Sequence, residues 1–359
     1  MNKIILTVLV CCSLGLQAQY KPPFFNTITV DDGLPEANIA SSLEDKYGYL
    51  WFGTNNGLVR YDGYRLKPYP IMNQDGLPVN PASINNLFED SKGKIWVFVF
   101  LEGIYFYDRA KDIFIKAPLS KEDAGIFKKI RTYDWKEDKQ RNSIWMTVFE
   151  TERGKPALYS FDLESNKLEA YNDLAKGNHF IPSYRTAGIS MDASGKTWLI
   201  TDSLLSYFEP ATKSFKPYFV LPDTSGASYF MSVLADPVDA DMLWLNISRN
   251  KPNQPELINV RKLLKFNTKT KTYSISAPGS KDPLAIPGIC FHTFIDSLKR
   301  VWLSTDKGVS VYNRQTGGFI HYPVSYQDTL NHTEVITADK DGNIWLAGLN
   351  SGLFFLDTK

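Results

Sequence analysis

The pattern Asp-x-x-Gly-x-x-Trp recurs as Asp45/Gly48/Trp51, Asp90/Gly93/Trp96, Asp192/Gly195/Trp198 and Asp339/Gly342/Trp345. A fifth copy, Asp296 to Trp302, keeps the six-residue spacing but has Lys299 in the glycine position. Two more, around Trp145 and Trp244, are read as keeping the tryptophan and losing the rest. Successive marker tryptophans, at 51, 96, 145, 198, 244, 302 and 345, are 43 to 58 residues apart. A period of that length means one supersecondary unit that buries its apolar face only by stacking on its neighbours, and seven such units occupy nearly the whole chain.

The period and strand chemistry predict an all-β chain: a seven-bladed β-propeller of four-stranded antiparallel blades. Each unit reads as an apolar-alternating strand ending in Asp, a tight turn, a strand carrying the Trp, and a third strand such as 57–62. A fourth segment with aromatics three apart closes the unit, as in Phe319 to Tyr322. Aromatic and β-branched residues dominate, and no amphipathic helical stretch stands out.

The two ends predict how the ring closes. The last unit, Val335 to Asp357, stops after its third strand, while Phe25-Asn26-Thr27-Ile28 precedes the first complete unit. The N-terminal strand is therefore expected to complete blade seven, removing two open sheet edges at once. Residues 1–18 read as a signal peptide, with Lys3, the apolar run Ile4 to Leu16 and a cut before Gln19. Residues 19–359 are then expected to be a single propeller domain in the periplasm, at about 49 residues per blade. No stretch outside the leader is long and apolar enough to cross a bilayer.

Composition excludes several function classes. Formal net charge is +1 for the whole chain, and losing Lys3 brings it to zero, so no basic face points to nucleic acid. Only Cys290 remains after the leader, flanked by Ile289 and Phe291, which predicts a buried structural thiol. There is no Gly-x-Ser-x-Gly elbow and no His-Glu-x-x-His, and the four histidines lack ligand spacing. Gly195-Lys196-Thr197 and Asp339 to Asn343 superficially resemble a phosphate loop and a calcium loop, but both read as repeat turns. No catalytic residue, metal or cofactor is expected.

The repeated Asp, Gly and Trp are read as scaffold: Asp binds turn amides, Gly accepts a positive φ, and Trp fills the gap between blades. Ligand-binding residues are sought where repeats differ. From the marker Trp to the next strand takes 7 residues in blade one, 13 in blade three (to Leu158) and 19 in blade five (to Leu263). These loops and their short counterparts supply the candidates Asn55, Asn56, Glu150, Arg153, Asp202, Arg249, Asn250, Asp306, Lys307 and Asn350. Interleaved aromatics, Tyr184, Tyr229 and Phe230, suit a hydroxyl-rich ligand such as an oligosaccharide.

Asp32-Gly33-Leu34-Pro35, followed by the run from Glu44 through Trp51-Phe52-Gly53-Thr54-Asn55-Asn56-Gly57 to Asp62-Gly63, resembles the two-component-regulator propeller repeat. The likeness is strongest in blade one, clear in blades two, six and seven, and worn in blades three to five. It implies a periplasmic sensor of a hybrid two-component system, built from propellers that detect glycans. The chain carries no kinase or DNA-binding segment of its own. Its expected partners are therefore an oligosaccharide and further receptor domains or a second propeller, unless it is a free-standing relative. Two other classes compete: a protein-interaction scaffold, and a glycan-active lyase or hydrolase using Asp202, Asp306 or Glu150.

Overall fold

The computed structural model describes residues 25–358 apart from 74, 80–81, 151–155, 172–185, 202, 222–227, 250–260, 278–281, 283, 324–332 and 349–351. These residues form seven four-stranded antiparallel sheets. Blade one comprises Ile39–Glu44, Leu50–Thr54, Gly57–Tyr61 and Leu66–Tyr69, ordered from the centre outward. Blade three comprises Ile130–Asp138, Ser143–Glu150, Pro156–Asp162 and Leu168–Ala170; blade four comprises Thr186–Met191, Thr197–Thr201, Leu204–Glu209 and Ser214–Val220. Each innermost strand packs against those of the two neighbouring blades, so the ring is closed.

Closure takes the expected form. Phe25–Ile28 pairs antiparallel with Gly352–Leu356, from Phe25 opposite Leu356 to Ile28 opposite Leu353, and is the outer strand of blade seven. The chain's two ends thus meet within one sheet.

The tryptophans sit between blades. Six of the seven are at most 1% exposed and Trp345 is 7% exposed. Trp51 meets the Tyr107 and Phe114 rings of blade two at 5.1 and 5.6 Å, Trp145 meets Phe208 of blade four at 5.2 Å, and Trp345 meets Phe52 of blade one at 6.1 Å. Burying about 200 Å² per indole is worth about 5 kcal/mol by area, so these side chains dominate the adhesion between blades.

The motif aspartate does more than turn the chain. Asp45 Oδ1 accepts the Tyr47 and Tyr49 amides at 2.9 and 3.1 Å, while its Oδ2 accepts Trp51 Nε1–H at 3.0 Å. One carboxylate therefore fixes the hairpin and satisfies the only polar atom of the buried indole. The same indole bond, 2.8 to 3.2 Å, recurs in all seven blades. This corrects the reading of blades three and five. Asp138 and Asp236 carry the bond there, seven and eight residues before their tryptophans. Their turns gained one and two residues, which hid an intact pair behind an altered spacing.

The turn glycines lie at φ 79° to 83°, and Lys299 occupies the same left-handed region at φ 61°. Gly195-Lys196-Thr197 and Asp339 to Asn343 are hairpin turns of this kind, as expected. One element was not anticipated. A seven-residue helix, Lys121–Phe127, caps the passage from blade two to blade three, its N-terminus held by Ser120 Oγ accepting the Asp123 amide at 3.0 Å. Phe127 anchors it in the core.

A second periodic feature shapes the centre. Every inner strand carries a β-bulge, and the bulged residue stands five positions before the motif aspartate in all seven blades: Ala40, Asn85, Tyr133, Ala187, Met231, Phe291 and Glu334. A bulge bends the strand and adds local twist, so these backbone positions form a ring around the channel at one level.

Candidate functional site

Antiparallel order sends the ends of all second strands, and the connections between blades, to one face of the ring. The motif hairpins lie on the other. Asn55 and Asn56 are exposed in the short turn between the second and third strands of blade one. That turn is set by Thr54, whose buried Oγ1 accepts the Asn56 amide at 3.0 Å and donates to the Gly57 carbonyl at 2.9 Å. Thr201 and Thr305 repeat the donation to Leu204 and Gly308. These hydroxyls are engaged within their own turns.

Asn55 reaches the entry to blade two. Its Oδ1 accepts the Ser83 hydroxyl at 3.1 Å, and the same hydroxyl lies 3.2 Å from Oδ1 of Asn85, the bulged residue of blade two. A hydroxyl proton serves one acceptor fully, so one of these two carboxamide oxygens retains acceptor capacity. Below them Thr132 of blade three donates to Asn86. Asn55, Ser83, Asn85, Asn86 and Thr132 thus form a carboxamide and hydroxyl series descending from the loop face into the ring. Only Asn55 was expected; counting five residues back from each motif aspartate would have found Asn85.

Blade six behaves differently. Asp306 Oδ1 accepts the Ile289 amide at 2.6 Å, and its Oδ2 lies 3.9 Å from the Lys307 ammonium. Asp306 therefore ties down the entry to its blade, while the Lys307 side chain is 64% exposed and free to reach outward. Glu150 and Arg249 end the second strands of blades three and five, at the same face as Asn55. Their side chains, and all of Arg153, Asp202, Asn250 and Asn350, lie outside the described residues, as does Tyr184. Phe230 is 1% exposed and packs in the core between blades four and five, not at the mouth, because its strand turns that face inward.

On the inner strand of blade three, Asp134 and Lys136 are paired at 3.2 Å, and Asp134 Oδ2 also accepts the Ile189 amide of blade four at 3.4 Å. On the inner strand of blade six, the buried Nδ1 of His292 is unpartnered among the described residues. Burial, reinforced by the Lys136 charge and opposed by Asp134, pushes the imidazole down to about 4. A neutral histidine results at any ordinary pH. Cys290, two residues earlier, is 0% exposed and donates to Asn246 Oδ1 at 3.2 Å. Burial pushes its thiol up to about 12, so it is inert, as its apolar flanks predicted. Among the described residues no cluster of His, Cys, Asp or Glu has the geometry to hold a metal, and no helix is long and apolar enough to cross a membrane.

Residues 33–56 match the family model described as two component regulator propeller, the family whose repeat the sequence resembles. Over 68 residues the chain is 32% identical to histidine kinase P4 of Formosa agariphila, a match spanning 19% of this chain and 5% of that protein. Two solved extracellular domains from B. thetaiotaomicron, assigned to hybrid two component systems BT3049 and BT4673, share its fold. Their TM-scores are 0.70 and 0.69 at 19% and 18% identity, over 94% and 93% of this chain. The chain spans 42% and 40% of the length of those domains.

Proposed function

We propose that this chain is the ligand-sensing propeller of an exported two-component receptor, and that it recognises an oligosaccharide at the loop face. The observation that carries this reading is the carboxamide and hydroxyl series from Asn55 to Thr132, which begins at the exposed mouth and has acceptor capacity to spare. Neutral amide and hydroxyl groups exchange donor and acceptor roles freely, which suits a ligand made of hydroxyls better than an ion. The likeness to extracellular domains of hybrid two-component systems supports the receptor setting.

On this reading residues 1–18 direct export to the periplasm and are removed, leaving Gln19 as the mature N-terminus and residues 19–359 as one propeller domain. Glu150, Arg153, Asp202, Arg249, Asn250, Lys307 and Asn350 are, on the same reading, further residues that bind the ligand. The function is binding without turnover, and Asp306 is committed to the Ile289 amide instead of to a reacting group. Signalling then requires that the ligand favour one arrangement of the receptor over another, through differential affinity for the two.

A thermal-shift screen of residues 19–359 against a panel of plant and algal oligosaccharides, with chromatography of each mixture, tests the proposal. The expected result is stabilisation by one glycan class with no products. Release of shorter saccharides identifies an enzyme instead. A flat screen, with a periplasmic protein retained in stoichiometric amount, identifies a scaffold.

A further inference from the structure

The seven interfaces between blades are not equivalent on the hairpin face. The residue directly across the strand pair from each marker tryptophan is Arg60, Phe106, Tyr207, Lys265, Val311 or Phe355 in six blades, and Ser160 in blade three. Two positions before the tryptophan stand Tyr49, Lys94, Lys196, Met242, Arg300 and Asn343 in those six, and Ser143 in blade three. Just past the third strand, Arg109 of blade two and Arg314 of blade six reach back to the aspartates of the preceding blades, Asp45 at 3.4 Å and Asp236 at 2.9 Å. Blade four has Pro210 there, which cannot reach. Two short side chains, Ser143 and Ser160, therefore coincide at an interface that has no reach-back arginine from blade four.

Between blades three and four they leave a wedge of two adjoining lobes, each of about 410 Å³, sharing Arg141, Phe208 and Pro210 as their common wall. The Ser143 hydroxyl, in a residue 3% exposed, lines one lobe and has no partner among the described residues. The Thr197 hydroxyl, 1% exposed, is equally unpartnered in the other. A buried hydroxyl left unsatisfied costs free energy, and two at one site are a reason to expect an occupant.

The wall chemistry states what kind. Arg141 is neutralised by Asp138 and lies over the Phe208 ring, and Lys213 stands 3.5 Å from Glu169. Cations and carboxylates are matched, so no net charge waits for an ion. What remains is a set of hydroxyl, ammonium and carboxylate groups above aromatic side chains, at the small end of ligand-site volumes, roughly 300–1,000 Å³.

We propose that the wedge between blades three and four is a second ligand site, separate from the loop-face mouth, which takes an uncharged polyhydroxylated molecule of mono- or disaccharide size. It does not depend on the mouth, and either can fail alone.

The test titrates residues 19–359 with glucose, galactose, mannose, xylose, maltose and cellobiose by calorimetry and saturation-transfer NMR. At least one of these probes is expected to bind. Ser160→Tyr, which copies Tyr207 of blade four, fills the wedge; it is expected to weaken that binding more than tenfold while leaving Tm unchanged or higher. Ser143→Ala, the milder variant should the tyrosine disturb folding, is expected to weaken it about fivefold, the loss of one ordinary hydrogen bond. Asn85→Ala at the mouth is expected to leave it unchanged. Silence across the six probes, or binding that survives both wedge variants, overturns the proposal. Binding abolished by Asn85→Ala and untouched by Ser160→Tyr assigns the ligand to the mouth and overturns the wedge while sustaining the loop-face reading.

Discussion

At the scale of single residues, the aspartate to indole bond is the unit from which the rest is assembled. Replacing Asp90 by alanine strands a buried Trp96 Nε1–H and the Lys92 and Lys94 amides together. The expected cost is about 2–4 kcal/mol, read as a drop in the denaturant midpoint at constant m. The turn glycines and Lys299 give an internal control. Gly48→Ala is expected to destabilise by about 1 kcal/mol, whereas Lys299→Gly, relieving the same backbone strain, is expected to be neutral or stabilising by about 0.5 kcal/mol. Equal destabilisation by both would show that φ is not the controlling quantity. His292 supplies a pH dependence. Its folded value, about 4, lies below the ordinary 6.5, so the unfolded chain takes up the proton first. Stability from the neutral imidazole is present above pH 6.5 and lost as pH falls toward 4, at up to about 1.4 kcal/mol per pH unit. His292→Gln is expected to flatten that part of the pH–stability curve; an unchanged slope would locate it elsewhere.

At the scale of elements, blades adhere through aromatic wedges and through clasps that vary around the ring. Glu44, Glu89 and Glu137 each accept a turn amide of the preceding blade, from Lys340, Lys46 and Ser91 at 2.7, 2.8 and 2.9 Å. Other interfaces use arginines, such as Arg300 donating to the Gly342 carbonyl at 2.7 Å. The strand Phe25–Ile28 is the clasp of the whole ring. Deleting residues 25–28 leaves blade seven with three strands and the edge of Gly352–Leu356 unpaired, and is expected to lower Tm by more than about 10 °C and to cause aggregation. A monomer of unchanged Tm would show that closure lies in the inner strands alone. Blade number, strand order and this closure were legible in the sequence because they are written in spacing. Asp138 and Asp236 were not, because an inserted turn residue shifts spacing without breaking the bond it serves. The bulge row escaped for another reason: a bulge is a property of pairing, visible only when two strands are set side by side.

At the scale of the molecule, the two faces of the ring have divided their work. Hairpins and indoles hold one face together, and the other carries turns of variable length whose backbones are fixed by Thr54, Thr201 and Thr305 while neighbouring side chains point outward. The site was legible only as a direction. Loop length directs attention to one face, and there Asn55 meets the Ser83 hydroxyl, whereas Asp306 is tied to the Ile289 amide and Phe230 is core. Polar residues in turns look alike in sequence whether they anchor the turn or face solvent, and only partner geometry separates them.

Hydrogen–deuterium exchange of residues 19–359, with and without the oligosaccharide that gives the largest thermal shift, tests the loop-face account most directly. Slowed exchange is expected at the Asn55 to Gly57 turn, the Ser83 to Asn86 segment and the loops after the second strands of blades three and five, with the motif hairpins unchanged. Protection confined to the hairpin face, with those segments unaltered, would contradict it.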